Sequence, residues 1–293
     1  MKMKIGFIGL GNMGAPMSRN LAKAGHDVFG FDITPNLISG VTQAKKLSEA
    51  SRNMDVVITM LPDGNILKQV YQDIVPLGSE KSIFIDCSTV DVESAVEAAN
   101  MAKKYGIKPI DSPVSGGVVG AEAGTLTFMA GGDNESFNNV KPLFETMGQK
   151  AVLCGDNGSG QAAKICNNMI LGISMIGVCE AFALADELNL DRQKMFDVVS
   201  TSSGHCWSLN TYCPAPGIGP VSPSDNAYKP GFASDLMLKD LTLAQAAAKS
   251  KDVFTPLGEH AQKLYSNFVK TGGSGKDFSA ILNFLKTNNL DKS

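Results

Sequence analysis

The sequence predicts an α/β first domain built on a mainly parallel sheet, then an all-helical second domain, with one long helix leading from the first into the second. Three observations carry this reading. Short β-branched runs alternate with helical stretches through the first half, the signature of βαβ units. Strand patterns stop near Gly160. Residues 161–188 then form a single helical pattern of Ala, Met, Ile and Leu without proline, long enough to span about 40 Å at roughly 1.5 Å per residue. The 293 residues suffice for two domains and for a core that needs no staples. The expected boundaries are 1–160 and 161–293.

In chain order, residues 4–8, 27–31, 56–60, 83–86 and 107–110 are strand-like: short, β-branched and bounded by turn residues. Helical stretches at 13–24, 65–74 and 92–105 lie between them. Further strands at 125–129 and 151–153 flank a helix at 135–147. In the second half, 192–200, 233–250, 255–270 and 278–286 read as helices. Residues 203–232 carry prolines at 214, 216, 220, 223 and 230 and read as a structureless loop, a length that usually marks function.

Composition excludes several classes. With 26 basic and 29 acidic residues the net charge is −3, and no block of like charge occurs, so no nucleic-acid footprint is expected. Six cysteines without C-x-x-C spacing and three histidines argue against a zinc site or a disulfide framework, and no metal is expected. The cysteines read as buried small apolar residues in a reducing compartment. The apolar run after Lys4 is too short for a secretory signal. The expected location is therefore the cytoplasm, or the mitochondrial matrix after loss of a transit peptide. Residues 169–185 are membrane-like, but Glu180 and the lack of basic or aromatic anchors point to a buried soluble helix.

Gly9, Leu10, Gly11, Asn12, Met13 and Gly14 spell G-x-G-x-x-G between a strand and a helix. The first glycine permits the tight turn, the second admits a pyrophosphate to the backbone, and the third lets helix and strand pack closely. The helix N-terminus supplies N–H donors and partial positive charge to phosphates. This is a Rossmann-type dinucleotide-binding signature. Asp32 stands 18 residues past Gly14, at the end of the second strand, with Ile33, Thr34 and Pro35 after it and no Arg. A carboxylate there accepts from ribose hydroxyls and repels a 2′-phosphate, so NAD is the expected cofactor. Leu61, Pro62 and Asn65, and then Thr89, follow later strands, where ligands of open α/β sheets bind. Asn65 and Thr89 fit a cofactor contact or a helix N-cap.

Asp111-Ser112-Pro113-Val114-Ser115-Gly116-Gly117 also follows a strand. Ser115, Gly116 and Gly117 suit a small anion-binding concavity for a substrate carboxylate, although a plain turn has similar spelling. Lys164 and Asn168 are four residues apart on the long helix and share a face. Ala162, Ala163, Ile165 and Cys166 are a poor setting for a surface lysine, and a partly buried lysine suits general acid–base work. Lys239 and Asp240 lie in an apolar helical run, as a surface ion pair or as a pair reaching toward the cofactor. His205, beside the single Trp207, is a conceivable base, but loop histidines are usually solvated.

Four motifs in order, at 9–14, 111–117, 158–168 and 238–241, make the whole chain resemble the β-hydroxyacid dehydrogenase family. The resemblance implies Lys164 as catalytic acid/base, and substrate binding by Ser115, Gly116, Gly117, Asn168 and Asp240. It implies Leu61, Pro62, Asn65, Thr89 and Lys239 at the nicotinamide cofactor, and a homodimer or homotetramer assembled through the helical domain. Residues 202–214 and 231–232 resemble members that oxidise 3-hydroxyisobutyrate to methylmalonate semialdehyde in valine breakdown, except that the family has Arg where this chain has His205. Related reductases of tartronate, glyoxylate or succinic semialdehyde are the nearest alternative. A silent dinucleotide-binding scaffold is disfavoured by Lys164, and a phosphosugar dehydrogenase by the lack of a basic cluster.

Overall fold

The computed structural model describes residues 2–287 and divides into two compact units, Met1–Lys164 and Ile165–Ser293. The first unit opens with β1 (Lys4–Ile8), α1 (Gly14–Lys23), β2 (Asp27–Phe31) and β3 (Thr42–Gln43). Next come β4 (Val56–Thr59), α2 (Gly64–Ile74), β5 (Ile83–Asp86), α3 (Val92–Lys103) and β6 (Lys108–Asp111). It closes with β7 (Val114–Ser115), α4 (Gly117–Ala123), β8 (Leu126–Gly131), α5 (Asn134–Met147) and β9 (Gly148–Gly155).

The strands form one sheet in the order β3-β2-β1-β4-β5-β6-β8-β7, with β9 paired to β8. Pairing is parallel from β3 through β6. It is antiparallel where β8 meets β6 and β7, and parallel again between β8 and β9. Every residue of β4 and β5 is buried. Both faces of these strands are covered, which is why they are unbroken apolar runs rather than alternating ones. One core cluster joins Ile5, Phe7, Met17, Leu21, Phe128 and Phe144. Another joins Ile8, Val57, Leu67, Tyr71, Phe84 and Ala98. The chain runs outward from β1 to β3 and returns with β4 on the other side of β1, so the strand order switches between β1 and β4, where such sheets bind ligands.

α6 (Ser159–Glu187) begins in the first unit and continues into the second, which adds α7 (Arg192–Val199), α8 (Trp207–Asn210), α9 (Ser234–Ser250), α10 (Pro256–Phe268) and α11 (Ile281–Thr287). By length and composition α6 is apolar enough to cross a membrane. Its Met175, Cys179 and Phe182 instead pack with Met237, Leu241, Tyr265 and Phe278 in the second unit's core.

Three sequence expectations are corrected. Residues 203–232 are not structureless: they contain α8 and a 3-10 turn at Pro223–Asn226, started by a capping box between Ser222 and Asp225. The Asp277 carboxylate then accepts from the N–H groups of Gly231 and Phe232 and from the Tyr212 hydroxyl. Prolines and serine caps ordered what lacks any apolar period. The plain turn weighed as the alternative at 115–117 is instead β7 followed by α4, both too short to show a period. Finally, Cys154 and Cys166 are exposed. Cys166 lies two residues past Lys164, about 200° around the helix, so burial of one faces the other outward.

Candidate active site

The turn after β1 is shaped by close backbone approach. A Cβ on Gly9, whose φ is +94°, would lie 2.2 Å from the Met60 carbonyl oxygen, and one on Gly14 would lie 1.8 Å from that of Gly9. Gly11 is the opposite case: its side is open, with nothing within 4 Å, and Gly11 and Asn12 are exposed. Leu10 is buried and Met13 half-buried. The first turn of α1 has no side-chain cap and no acidic residue, so no carboxylate there opposes an anion at the positive end of the helix. These features fit the diphosphate of a dinucleotide. Asp32 follows β2, and its carboxylate accepts from Leu10 N–H at 2.6 Å and Thr34 N–H at 2.9 Å. The acid is thereby tied to the glycine turn itself.

The next strand ends carry Leu61 and Thr89, half-buried, and Pro62 and Asn65, exposed. Neither Asn65 nor Thr89 is an N-cap. Asp63 caps α2, accepting from the N–H groups of Asn65 and Ile66, and Asp91 caps α3 through Ser94 N–H. Behind this edge lies a buried polar network that the sequence did not reveal. Leu61 N–H donates to Ser88 Oγ at 2.8 Å. The hydroxyls of Ser88 and Thr59 donate to Asp86 Oδ1 at 2.6 and 2.7 Å. Burial pushes Asp86 up to about 7, against the opposing bonds from Ser88 and Thr59. Across the sheet Asp86 pairs in register with Asp111. Burial also raises Asp111, opposed by backbone N–H donors from the start of α6. The only sequence signal was an acid closing each apolar run.

Lys164 is 7% exposed, and its Nζ donates to the Val114 carbonyl at 2.8 Å. The amine is therefore anchored on the residue preceding Ser115. Ser115 is half-buried in β7, and Gly116, at φ +132°, leads into α4 at Gly117. That φ favours glycine and holds the motif's backbone in a form a side chain would resist. In the second unit Asn168 and Asp240 are both buried, and the Asn168 Nδ2 donates to Asp240 Oδ2. Asn167 Nδ2 donates to Asn168 Oδ1 at 2.8 Å, so Asn168 is oriented from both ends of its amide. Asp240 is thus no surface acid. Its neighbour Lys239 is half-buried. His205 is exposed, with Nδ1 2.9 Å from the Ser202 carbonyl oxygen, as expected of a solvated loop histidine.

Comparison with known proteins fits this geometry. Residues 4–155 match the family model for the NAD binding domain of 6-phosphogluconate dehydrogenase. Residues 158–285 match that described as NAD-binding of NADP-dependent 3-hydroxyisobutyrate dehydrogenase. A probable 3-hydroxyisobutyrate dehydrogenase of Mycobacterium tuberculosis is 45% identical over 287 residues, covering 96% of this chain and 97% of the relative. The chain belongs to the 3-hydroxyisobutyrate dehydrogenase family. The mitochondrial 3-hydroxyisobutyrate dehydrogenase of Drosophila melanogaster is 44% identical, with 96% and 89% coverage. A solved structure of the Mycobacterium tuberculosis 3-hydroxyisobutyrate dehydrogenase with L-serine superimposes with a TM-score of 0.94, covering 98% of this chain and 100% of that one. The family assignment makes the chain an oxidoreductase that binds a nicotinamide dinucleotide, and the expected architecture of a Rossmann-type domain followed by a helical domain is borne out.

Proposed function

We propose that this chain oxidises 3-hydroxyisobutyrate to methylmalonate semialdehyde with NAD, in valine breakdown, and that Lys164 moves the proton. The observation that carries the reading is the buried Lys164 amine, fixed on Val114 beside Ser115, Gly116 and Gly117, in a chain so similar along its length to 3-hydroxyisobutyrate dehydrogenases. Bound NAD would supply the hydride acceptor for the alcohol carbon. Lys164, as the neutral amine, takes the hydroxyl proton; in reduction the ammonium returns it to the carbonyl oxygen. Such a relay is worth about 10²–10⁴ in rate. Ser115, Gly116 and Gly117 hold the carboxylate, while Asn168 and Asp240 bind the rest of the substrate. Leu61, Pro62, Asn65 and Thr89 line the nicotinamide, which Lys239 approaches, and Asp32 favours NAD over NADP. L-serine, found with the mycobacterial relative, is itself a 3-hydroxycarboxylate.

The same reading makes the protein a homodimer or homotetramer. Its support is exposed apolar surface along α6, where Ile170 and Leu184, and Leu188 just past the helix end, are each more than half exposed. Six free cysteines fit a reducing compartment, cytoplasm or mitochondrial matrix. The substrate assignment is tested with a panel of small hydroxyacids, followed at the nicotinamide absorbance. The acid is expected to react far faster than its methyl ester. Equal rates contradict the anion pocket, and preference for tartronate or succinic semialdehyde in the reverse direction contradicts the substrate.

A further inference from the structure

Gln161, in the first turn of α6, is fully buried. Its Nε2 donates to the Ser88 carbonyl at 2.7 Å, and its Oε1 accepts from Val90 N–H at 3.1 Å. The two bonds grip the residues on either side of Thr89. The same residue's backbone N–H donates to Asp111 Oδ2 at 3.1 Å. Ser88 is held from the other direction too, its hydroxyl on Asp86 Oδ1. The Ser88–Val90 segment is therefore fixed by its side chain to β5 and by its main chain to α6.

Lys164 lies three residues further along the same helix, close to one turn, so Gln161 and Lys164 share a face. Gly158 N–H donates to Asp111 Oδ1 at 2.7 Å, and a Cβ on Gly160 would come within 2.8 Å of Asp111 Oδ2. The start of the helix thus seats directly on the end of β6. Glutamine is suited to this task because one side chain supplies a donor and an acceptor at the same reach. Glutamate replaces the donor facing Ser88 by a second oxygen, and methionine offers neither.

We propose that Gln161 is a positioning residue that sets the Thr89 segment, and through it the bound nicotinamide, against the Lys164 amine. This rests on the reading of Lys164 as acid/base and of Thr89 as a nicotinamide contact. Proton and hydride leave the same alcohol group, so their two acceptors must be held in one register. A shift of about 1 Å between such groups can cost about 10²-fold in rate.

The test uses the full-length enzyme with Gln161→Met and the isosteric Gln161→Glu, and Lys164→Ala measured beside them. Amide hydrogen exchange at Val90 reads the clamp without any cofactor. It is expected to accelerate clearly in Gln161→Met. In that variant kcat is expected to fall about 10–100-fold, with the primary deuterium isotope effect on kcat raised and NADH affinity changed less than about threefold, since the glycine turn and Asp32 hold most of the dinucleotide. Gln161→Glu, which keeps the volume and the bond from Val90, is expected to show a smaller fall in kcat with the same rise in isotope effect; it carries the test if the methionine variant fails to fold. Faster Val90 exchange with unchanged kcat overturns the positioning role. So does a kcat that falls only with the folded fraction, at an unchanged isotope effect. A near-normal kcat in Lys164→Ala instead removes the acid/base reading, while Val90 exchange still reports the clamp.

Discussion

Asp86 and Asp111 stand opposite each other at the ends of neighbouring parallel strands, both 3% exposed, yet they are held in different ways. Asp111 accepts from backbone: Gly158 N–H on one oxygen and Gln161 N–H on the other. Asp86 gathers the Thr59 and Ser88 hydroxyls and Ser88 N–H on Oδ1, while Oδ2 is buried without a partner among the described residues. Backbone donors cannot reverse direction, so Asp111's site is built for a carboxylate. Asp86's surroundings suit the protonated acid. Register places acids at strand ends; their partners decide their charge.

The consequence of the Asp111 side is read furthest downstream, at Lys164. Lys164→Ala is expected to lower kcat by about 10²–10⁴, roughly 3–5 kcal/mol, with NADH affinity little changed. Lys164→Arg is not expected to rescue it, because a guanidinium keeps its proton near neutral pH. The oxidative rate of the wild type should rise toward alkaline pH as the amine deprotonates, and that limb should vanish in the alanine variant. A variant that turns over normally would make Lys164 a structural residue and move the search for the base to His205.

Paired amide substitutions separate the two acids. Asp111→Asn points an NH₂ at a backbone N–H and is expected to destabilise by about 3 kcal/mol at neutral pH, as loss of a hydrogen bond to a charged group does. It should also lower kcat, since the start of α6 carries Lys164 three residues beyond Gln161. Asp86→Asn should leave both properties closer to wild type at neutral pH. Urea midpoints and kcat, measured side by side, settle the order; if Asp86→Asn proves the more damaging, the assignment of charge is reversed.

How far the sequence revealed this depends on distance along the chain. β1, β2 and β5 were legible to the residue, being apolar runs between turn formers. β3 and β7 have two residues each, too few for any period, and α4 hides in a glycine-rich stretch. The glycine turn is a local motif and could be read directly. The burial of Lys164 was legible from its neighbours, though Cys166 was misjudged with them. Asp86, Asp111 and Gln161 were missed because their partners are 27 to 73 residues away. Asn168 was singled out, but not its bond to Asp240, 72 residues on. Long-range polar pairing leaves no periodic trace.

Asp86 gives the pH dependence its sign. Its folded value is raised from 3.8 to about 7, so the folded state binds the proton more tightly. The stability this contributes is fully present below about pH 4 and is lost as pH rises through about 7. From pH 5 to 8 the wild type should lose about 2–3 kcal/mol relative to Asp86→Asn, which mimics the protonated form and removes this titration. Urea midpoints of both proteins at the two pH values check it. Parallel curves would mean that Asp86 is ionised throughout, like an ordinary carboxylate.

The smallest effect is expected at the third strand-end acid, Asp32, which is only half-buried. Like Asp111 it accepts from backbone, here Leu10 and Thr34, but solvent reaches it and screens its charge. Its removal should therefore cost little stability and act mainly on the ligand. Asp32→Ala removes the repulsion of a 2′-phosphate and the acceptor for ribose hydroxyls. The preference for NAD over NADP in kcat/KM should narrow by about tenfold, roughly 1.4 kcal/mol, and narrow less at high salt. Loss of fold instead would show that the acid serves chiefly to hold Leu10 and the glycine turn. An unchanged ratio would place the choice of cofactor in the residues that follow, from Ile33 onward.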